Sequence, residues 1–96
     1  MDEITFSWDE DKDRENQQKH GVSFREGSTA FADANARLIH DPLHSGKEDR
    51  FILLGFSGKL RLLVVSHTYR KEESEIRIIS ARKATRNERN QYGCFL

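Results

Sequence analysis

The chain has 96 residues, of which 35% are hydrophobic and 33% are charged, and its formal net charge at pH 7 is zero. This length fits one domain over residues 1–96 with a modest core, and the content of Leu, Ile, Val and Phe excludes a disordered chain. One cysteine excludes an internal disulfide, and neither a signal peptide nor an apolar run long enough to span a membrane is present, so we expect a cytoplasmic protein with no membrane partner.

The chain begins with a predicted strand and a polar helix. Residues 4–8 alternate and are rich in β-formers, which predicts a short strand. Asp9 or Ser7 caps a helix that runs to His20 and ends at Gly21. This helix contains no apolar residue, so it must dock through the preceding tryptophan, through long side-chain stems or through a partner.

A second helix begins at a predicted capping box. Ser23 would accept a hydrogen bond from the backbone three residues on, and Glu26 would reach back toward the start of the helix. The helix closes at residues 31–33. A short strand over residues 37–40 and a polar loop over residues 41–49 follow.

The second half of the chain predicts a β-meander and a terminal helix. The strands cover residues 50–56, 59–69 and 75–81. Ser57 and Gly58 indicate a two-residue hairpin turn, and Thr85 with Glu88 forms a capping box for a helix that runs to about Tyr92. The order is β-α-α-β-β-β-β-α, an α+β fold with a small antiparallel sheet, two N-terminal helices and one C-terminal helix.

Alternation along the last two strands assigns faces to the polar residues at their ends. Successive side chains point to opposite faces of a sheet, so His67 and Tyr69 share a face on the longer strand. On the last strand, the same rule places Arg77 on one face and both Ser80 and Arg82 on the other. A sheet with an aliphatic middle and a rim of Arg, His, Tyr and Ser has a core and, beside it, a candidate site.

These residue types suit cleavage of RNA without a metal. The reaction needs a base for the 2′-hydroxyl, an acid for the leaving oxygen and cations for the charged phosphate. Arginine binds phosphate through paired donors, His67 titrates near neutral pH, and Tyr69 or Tyr92 could stack on a base. Surface arginines are common, however, and a histidine on a strand is more often structural or simply exposed.

The distribution of charge along the chain and the spacing of possible metal ligands indicate whether an anion or a metal is bound. Residues 1–48 carry eleven acids and six bases (−5), and residues 49–96 carry five acids and ten bases (+5). This asymmetry favours an anion at one face, although two ordinary solvated surfaces would give the same totals. His40 and His44 are spaced like a helical metal pair, but Pro42 between them argues against a helix. No cysteine or acidic cluster completes a zinc set, so we expect no metal.

Two long motifs and several short ones resemble a known family. The long motifs are Trp8-Asp9 with Lys12, Asn16 and residues 19–24 (KHGVSF), and residues 77–84 (RIISARKA) with Glu88 and Tyr92. Between them lie Asp33, Glu48-x-Arg50, Gly55 and His67-Thr68-x-Arg70. In this order and at these distances they resemble the BrnT toxin family over about residues 6–92.

The resemblance implies a fold similar to that of RelE-like ribonucleases. It also implies that the protein cleaves RNA and thereby shuts down translation. BrnT proteins are the toxin half of a type II toxin–antitoxin pair. The implied partner is a BrnA antitoxin, which is a DNA-binding protein. The complex of antitoxin and toxin represses its own operon, so we expect operator DNA to be bound only by that complex. No cofactor is implied.

The resemblance also implies site residues, carried over by position. The catalytic candidates are His67, Arg70, Arg77, Arg82 and Glu48. The RNA-binding candidates are Ser80, Arg50, Lys19, His20 and Tyr69. We expect the arginines to hold the phosphate and His67 or Glu48 to move protons, and which group is the general base stays open. The alternative is a module of the same fold that binds RNA or the antitoxin without catalysis.

Overall fold

The computed structural model describes residues 4–41, 49–72 and 74–93. Within these ranges the chain forms five strands and three helices: β1 (Thr5–Ser7), α1 (Glu10–His20), α2 (Phe24–Thr29), β2 (Arg37–Asp41), β3 (Arg50–Phe56), β4 (Leu62–Arg70), β5 (Glu75–Lys83) and α3 (Arg86–Gly93). A 3-10 turn follows α2 directly. The predicted element order and the α+β class are confirmed. No helix among the described residues is long and apolar enough to cross a membrane.

One sheet contains all five strands, in the order β1-β5-β4-β3-β2. The predicted meander over β3, β4 and β5 is antiparallel, and β2 also pairs antiparallel with β3. The first strand adds a parallel pair at the edge, because Thr5 to Ser7 runs beside Glu75 to Arg77 in the same direction. The sheet is therefore mixed, and its first and last strands lie next to each other.

The two faces of the sheet have different chemistry. We call one the core face; it packs against α1 and α2 through Leu53, Leu63, Val65, Ile76, Ile78 and Ala81. We call the other the arginine face, and it carries Arg50, Arg70, Arg77, Ser80 and Arg82. The helix α3 covers one end of the arginine face, where Tyr92 packs on Leu54, Leu62 and Val64. The molecule thus has three layers, with most of its apolar packing on the core face.

Helix α1 docks through a buried amide. The Asn16 side chain donates to the carbonyl oxygens of Val22 (2.8 Å) and Ala81 (2.7 Å) and accepts from the Ala81 N–H (3.2 Å). Trp8 also packs edge-on against Phe24, with ring centroids 6.3 Å apart. A helix without an apolar stripe is therefore held by polar contacts to buried backbone, which satisfy groups that would otherwise lack partners.

The second capping box forms only in part. The Ser23 hydroxyl accepts from the Glu26 N–H at 3.0 Å, as predicted. The Glu26 carboxylate turns away from the helix start and accepts from Ser57 Oγ (2.7 Å) and Arg61 Nε (2.8 Å). Hydrogen bonds from Arg61 hold the pKa of Glu26 below its usual range. This ion pair between the buried Glu26 and the half-buried Arg61 ties α2 to the connection between β3 and β4.

The predicted two-residue hairpin turn was wrong. The connection between β3 and β4 is longer, since the Ser57 N–H donates to the Arg61 carbonyl (2.9 Å) and the Leu60 N–H donates to the Ser57 carbonyl (2.9 Å). Leu60 adopts a left-handed backbone with φ of 61°. The Glu26 carboxylate supplies the reason, because it binds side chains at both ends of the longer connection and stabilises it.

Candidate functional site

A bulge in β5 decides which side chains share a face. Ser66 of β4 lies opposite Ser80, but the next residue, His67, lies opposite Ile78, so Ile79 is an extra residue in the ladder. Such an insertion reverses the alternation of faces beyond it. The prediction that Arg77 lies on the other face from Ser80 and Arg82 was therefore wrong. The succession of two isoleucines, which breaks strict alternation, was the signal in the sequence.

The bulge aligns Arg77 with the residues beyond it on the same strand. Five of the predicted site residues therefore lie on the arginine face: Arg50, Arg70, Arg77, Ser80 and Arg82. Their neighbours on the core face fix this assignment. Phe51 stacks against His67 and packs edge-on against Tyr69, so the residues adjacent in sequence to Phe51 and Tyr69 point to the opposite side. Five predicted residues from three strands, four of them arginines, thus lie on one surface of the sheet.

Arg82 is fixed by the cap of α3. Its Nη1 and Nη2 donate to the two carboxylate oxygens of Glu88 at 2.8 and 2.9 Å. Glu88 also accepts from the Thr85 N–H (2.7 Å) and its own N–H donates to Thr85 Oγ1 (3.3 Å), so the predicted capping box is complete. Arg82 and the Thr85 N–H lower the pKa of Glu88 to about 2.

The ion pair leaves one edge of the Arg82 guanidinium available. Glu88 takes the outer ends of both Nη groups, and Nη1 also donates to the Lys83 carbonyl (3.3 Å). In the described part of the chain, no bond uses the edge formed by Nε and the second hydrogen of Nη2. Guanidinium presents five donors in a planar fork, and such an edge matches two oxygens of a phosphate.

Arg77 lies on the arginine face between Thr68 of β4 and Ser7 of the edge strand β1. Within the described ranges its guanidinium makes no hydrogen bond, although its charge, together with stronger hydrogen bonds from the Lys12 and Asp11 N–H groups, lowers the pKa of Asp9. The buried Thr68 hydroxyl also lacks a hydrogen-bond partner in the part of the chain that the structure describes. A cation and an unsatisfied hydroxyl therefore lie side by side.

His67 and Tyr69 lie on the core face, away from the arginines. The His67 ring has no exposed surface, and it contacts the Val65 carbonyl through Nδ1 (3.0 Å) and the Tyr69 hydroxyl through Nε2 (3.3 Å). Its ring packs between Phe31 and Phe51. Burial lowers the pKa of His67, so the ring is neutral at pH 7. The structure does not bring this pair to the arginine face.

Two further predicted residues, Lys19 and His20, are not part of this face. Lys19 and His20 end α1, which packs on the core face through its Asn16 contact to Ala81. Glu48 lies outside the described residues. RNA contacts by these residues, and proton transfer by Glu48 or His67, stay predictions.

A groove runs between α3 and the sheet, beside Arg82. Its volume is about 470 Å³ including the open mouth, and we call it the α3 groove; its lining residues are Arg37, Ile39, Ile52, Leu54, Val64, Arg82, Glu88 and Gln91. The Tyr92 hydroxyl donates to Asp33 at 2.7 Å, which holds α3 in place and raises the pKa of Tyr92 to about 12. Prediction from sequence missed this groove because its residues come from five separate elements.

The arrangement suits binding of a polyanion more than binding of a metal. Among residues 4–41, 49–72 and 74–93, no three His, Cys, Asp or Glu side chains group together as metal ligands. Arginine stays charged at any physiological pH, so it neutralises a phosphate without exchanging protons. The fold and the face together define a small α+β protein with an arginine-rich sheet surface.

Comparisons with known proteins give the family. The family model described as "Ribonuclease toxin, BrnT, of type II toxin-antitoxin system" matches residues 8–88. The chain therefore belongs to the BrnT family of ribonuclease toxins, which confirms the resemblance found in the sequence. Its fold is similar to the crystal structure of the Brucella abortus ribonuclease toxin BrnT, with a TM-score of 0.65 and 24% identity over 86% of this chain and 99% of that chain. No curated protein matches the sequence.

Proposed function

We propose that this chain cuts RNA on its arginine face, without a metal, and thereby inhibits translation. Membership of a ribonuclease toxin family supplies the class of reaction. The observation that carries the proposal is the bulge at Ile79, because it aligns Arg77, Ser80 and Arg82 on one face. These residues stand at intervals along one strand, so they can follow the sugar-phosphate backbone of a single RNA strand.

The chemistry would be attack of the RNA 2′-hydroxyl on the neighbouring phosphate. The 2′-oxygen forms a bond to phosphorus, the bond from phosphorus to the 5′-oxygen breaks, and the proton lost by the 2′-hydroxyl is balanced by one gained at the leaving oxygen. Arg77 and Arg82 would bind the non-bridging oxygens, whose negative charge grows in the transition state. Ser80 would donate a further hydrogen bond between them.

Glu88 is a positioning residue in this proposal. With a pKa of about 2 it is ionised at neutral pH and a poor proton acceptor. Both of its oxygens are engaged by Arg82, so it sets the orientation of the guanidinium that meets the phosphate. Of the two predicted proton carriers, His67 has no exposed surface, so the proposal rests on charge stabilisation by the arginines.

The partners follow from the family in outline. A type II toxin implies an antitoxin and an RNA substrate. We propose further that the antitoxin is of the BrnA type, that it neutralises the toxin in the cytoplasm, and that operator DNA is bound only by the toxin–antitoxin complex. Co-expression with a BrnA-type protein, followed by purification and an operator-binding assay, tests each part.

The test of the activity is controlled expression in a bacterium, followed by incubation of purified protein with RNA in a chelator. We expect growth arrest and RNA cleavage, and a loss of cleavage of about 10²-fold or more in Arg77→Ala/Arg82→Ala, since each removes transition-state stabilisation. The matched control is Arg14→Ala/Arg25→Ala, which removes the same charge from exposed positions on the helical layer. A folded wild type that leaves growth and RNA unaffected would refute the enzyme and favour a binding module.

A further inference from the structure

We propose that the α3 groove is a subsite for one RNA base, the base next to the phosphate held by Arg82. This inference rests on the proposed function, and it adds a binding site for a nucleobase. Arg82 belongs to both surfaces, because it lies on the arginine face and also lines the groove. When Arg82 binds a phosphate of the RNA, the base on one side of that phosphate therefore lies at the mouth of the groove.

The floor of the groove is flat and apolar. Leu54 of β3 lies directly across from Val64 of β4, and Val64 lies across from Arg82 of β5, so these residues form one row over the sheet. Ile52 belongs to the next row and extends the apolar surface. A pleated sheet surface of aliphatic side chains offers a plane against which a base can lie and lose its contact with water.

The rim of the groove is polar and includes two arginines, Arg37 and Arg82. Gln91 and Glu88 of α3 stand on one side, and Arg37 of β2 closes the far end. Because Glu88 is bound on both oxygens by Arg82, its charge is balanced within the site. The Gln91 side-chain amide offers both a donor and an acceptor, which is the combination that reads the edge of a base.

The shape of the groove is set before a ligand arrives. Tyr92 holds α3 against Asp33 at 2.7 Å, and the Arg37 Nη1 donates to the Gln91 carbonyl at 3.5 Å, which links β2 to the end of α3. Pre-formed walls reduce the ordering cost of binding. An apolar protein side chain would use the floor alone, whereas a nucleotide uses the floor, the amide at the rim and the adjoining arginine, so the charge and shape favour RNA.

The edge strand β2 provides a matched pair of variants. Ile39 is 54% exposed and lines the groove, whereas its neighbour Leu38 is 49% exposed and points to the opposite face of the sheet. Ile39→Asp places a carboxylate in the groove, and Leu38→Asp makes the same change of charge outside it. Both positions are exposed, so both variants keep the buried core intact.

The experiment measures the affinity of the protein for RNA tetranucleotides whose 2′-O-methyl groups prevent cleavage. The affinity for each intact tetranucleotide is compared with the affinity for copies that lack the base at one position. For the wild type and Leu38→Asp we expect loss of the base at one position of the four to weaken binding about tenfold, with smaller effects elsewhere. Ile39→Asp should remove that difference, and Gln91→Ala should reduce it, while amide NMR spectra of all variants show a folded chain.

Each other outcome overturns the subsite. If every abasic copy binds as tightly as the intact strand while the wild type still cleaves RNA, the base proposal falls and the ribonuclease stands. If Ile39→Asp and Leu38→Asp behave alike, the groove is not where the base binds. If tetranucleotides leave the groove amides unshifted and an antitoxin protein shifts them, the groove is a protein site. If no RNA is bound or cut at all, the proposed function falls as well.

Discussion

Replacing Glu88 with glutamine tests how the cap of α3 and the orientation of Arg82 depend on one negative charge. The carboxylate accepts two hydrogen bonds from Arg82 and one from the Thr85 N–H, and its side chain is 25% exposed. Glutamine keeps the length of the side chain and one oxygen acceptor, but it has no charge and puts a donor where Arg82 also donates. We expect Glu88→Gln to be folded and less stable than the wild type.

The magnitude follows from the pKa of Glu88, which falls from an ordinary value of 4.5 to about 2 in the folded protein. At about 1.4 kcal/mol per unit, the full shift would correspond to roughly 3 kcal/mol, and partial exposure to solvent reduces this to about 1–2 kcal/mol. Because the pKa of Glu88 is lower in the folded state than in the unfolded state, its carboxylate stabilises the folded protein above about pH 4.5. This stabilisation is lost as the pH falls toward 2. At pH 3 about two fifths of the difference should remain.

The assay is urea unfolding of the wild type and Glu88→Gln at pH 7, 4 and 3, with Glu15→Gln as the control. Glu15 is an exposed glutamate of α1, so its replacement should change the free energy of unfolding by less than about 0.5 kcal/mol. Other titrating groups act equally on each pair and cancel from the difference. An equal difference at pH 3 and pH 7 would refute the reasoning, because the loss would then not come from the ionised carboxylate.

Two further predictions concern the core face. Asn16→Ala leaves the carbonyl oxygens of Val22 and Ala81 without the buried amide, so we expect urea unfolding to show a loss of about 2–4 kcal/mol; a loss under 0.5 kcal/mol would contradict polar docking of α1. The buried His67 ring should titrate below 6.5 in NMR spectra, because burial lowers its pKa. Its contribution to stability is then complete above about pH 6.5 and declines as the pH falls; a normal or raised pKa would contradict the buried, neutral ring.

The sequence predicts those parts of the fold that depend on local chemistry. Asp9 caps α1 through hydrogen bonds to the Asp11 and Lys12 N–H groups, and Gly21 ends the helix with φ of 69°, a backbone conformation that glycine adopts at little cost. The Thr85–Glu88 box also forms in full. Each of these features involves residues within four positions of each other, so the sequence alone contains both partners.

Long-range contacts account for what the sequence does not predict. Glu26 has a suitable backbone partner at the start of its own helix, yet it binds Arg61, 35 residues away, because its buried carboxylate also accepts from Ser57 at the other end of the same connection. His67 has the chemistry of a proton carrier, but its side of the sheet is known only once Phe31 and Phe51 are seen to enclose it. The type of a side chain indicates which chemistry it can perform, whereas the packing of the whole chain determines which groups it contacts.

The bulge at Ile79 links the core to the candidate site, and deleting that residue tests the link. Ile78 and Ala81 both enter the core although they are three positions apart, and this is possible only because the extra residue reverses the alternation between them. Deleting Ile79 would leave a regular ladder with the same partners, because Ser80 already lies opposite Ser66 and Ile78 already lies opposite His67. Ile78 and Ala81 would stay in the core, and Arg77 would still share a face with Arg82. We therefore expect the deletion variant to fold, to lose no more than about 2 kcal/mol of stability and to retain RNA cleavage.

The control for the deletion is Ile79→Ala, which shortens a half-buried side chain and keeps the backbone length. It should cost about 1 kcal/mol in urea unfolding and retain cleavage. A deletion variant that no longer cleaves RNA while Ile79→Ala stays active would mean that the local shape of the bulge, and not the pairing of β5 with β4, determines the arginine face. The expected result would instead show that this pairing satisfies two demands together, since the core face needs Ile78 and Ala81 and RNA needs Arg77 and Arg82. A variant that shifts the pairing by one residue should then lower stability and cleavage in parallel, because the shift turns each side chain to the other face.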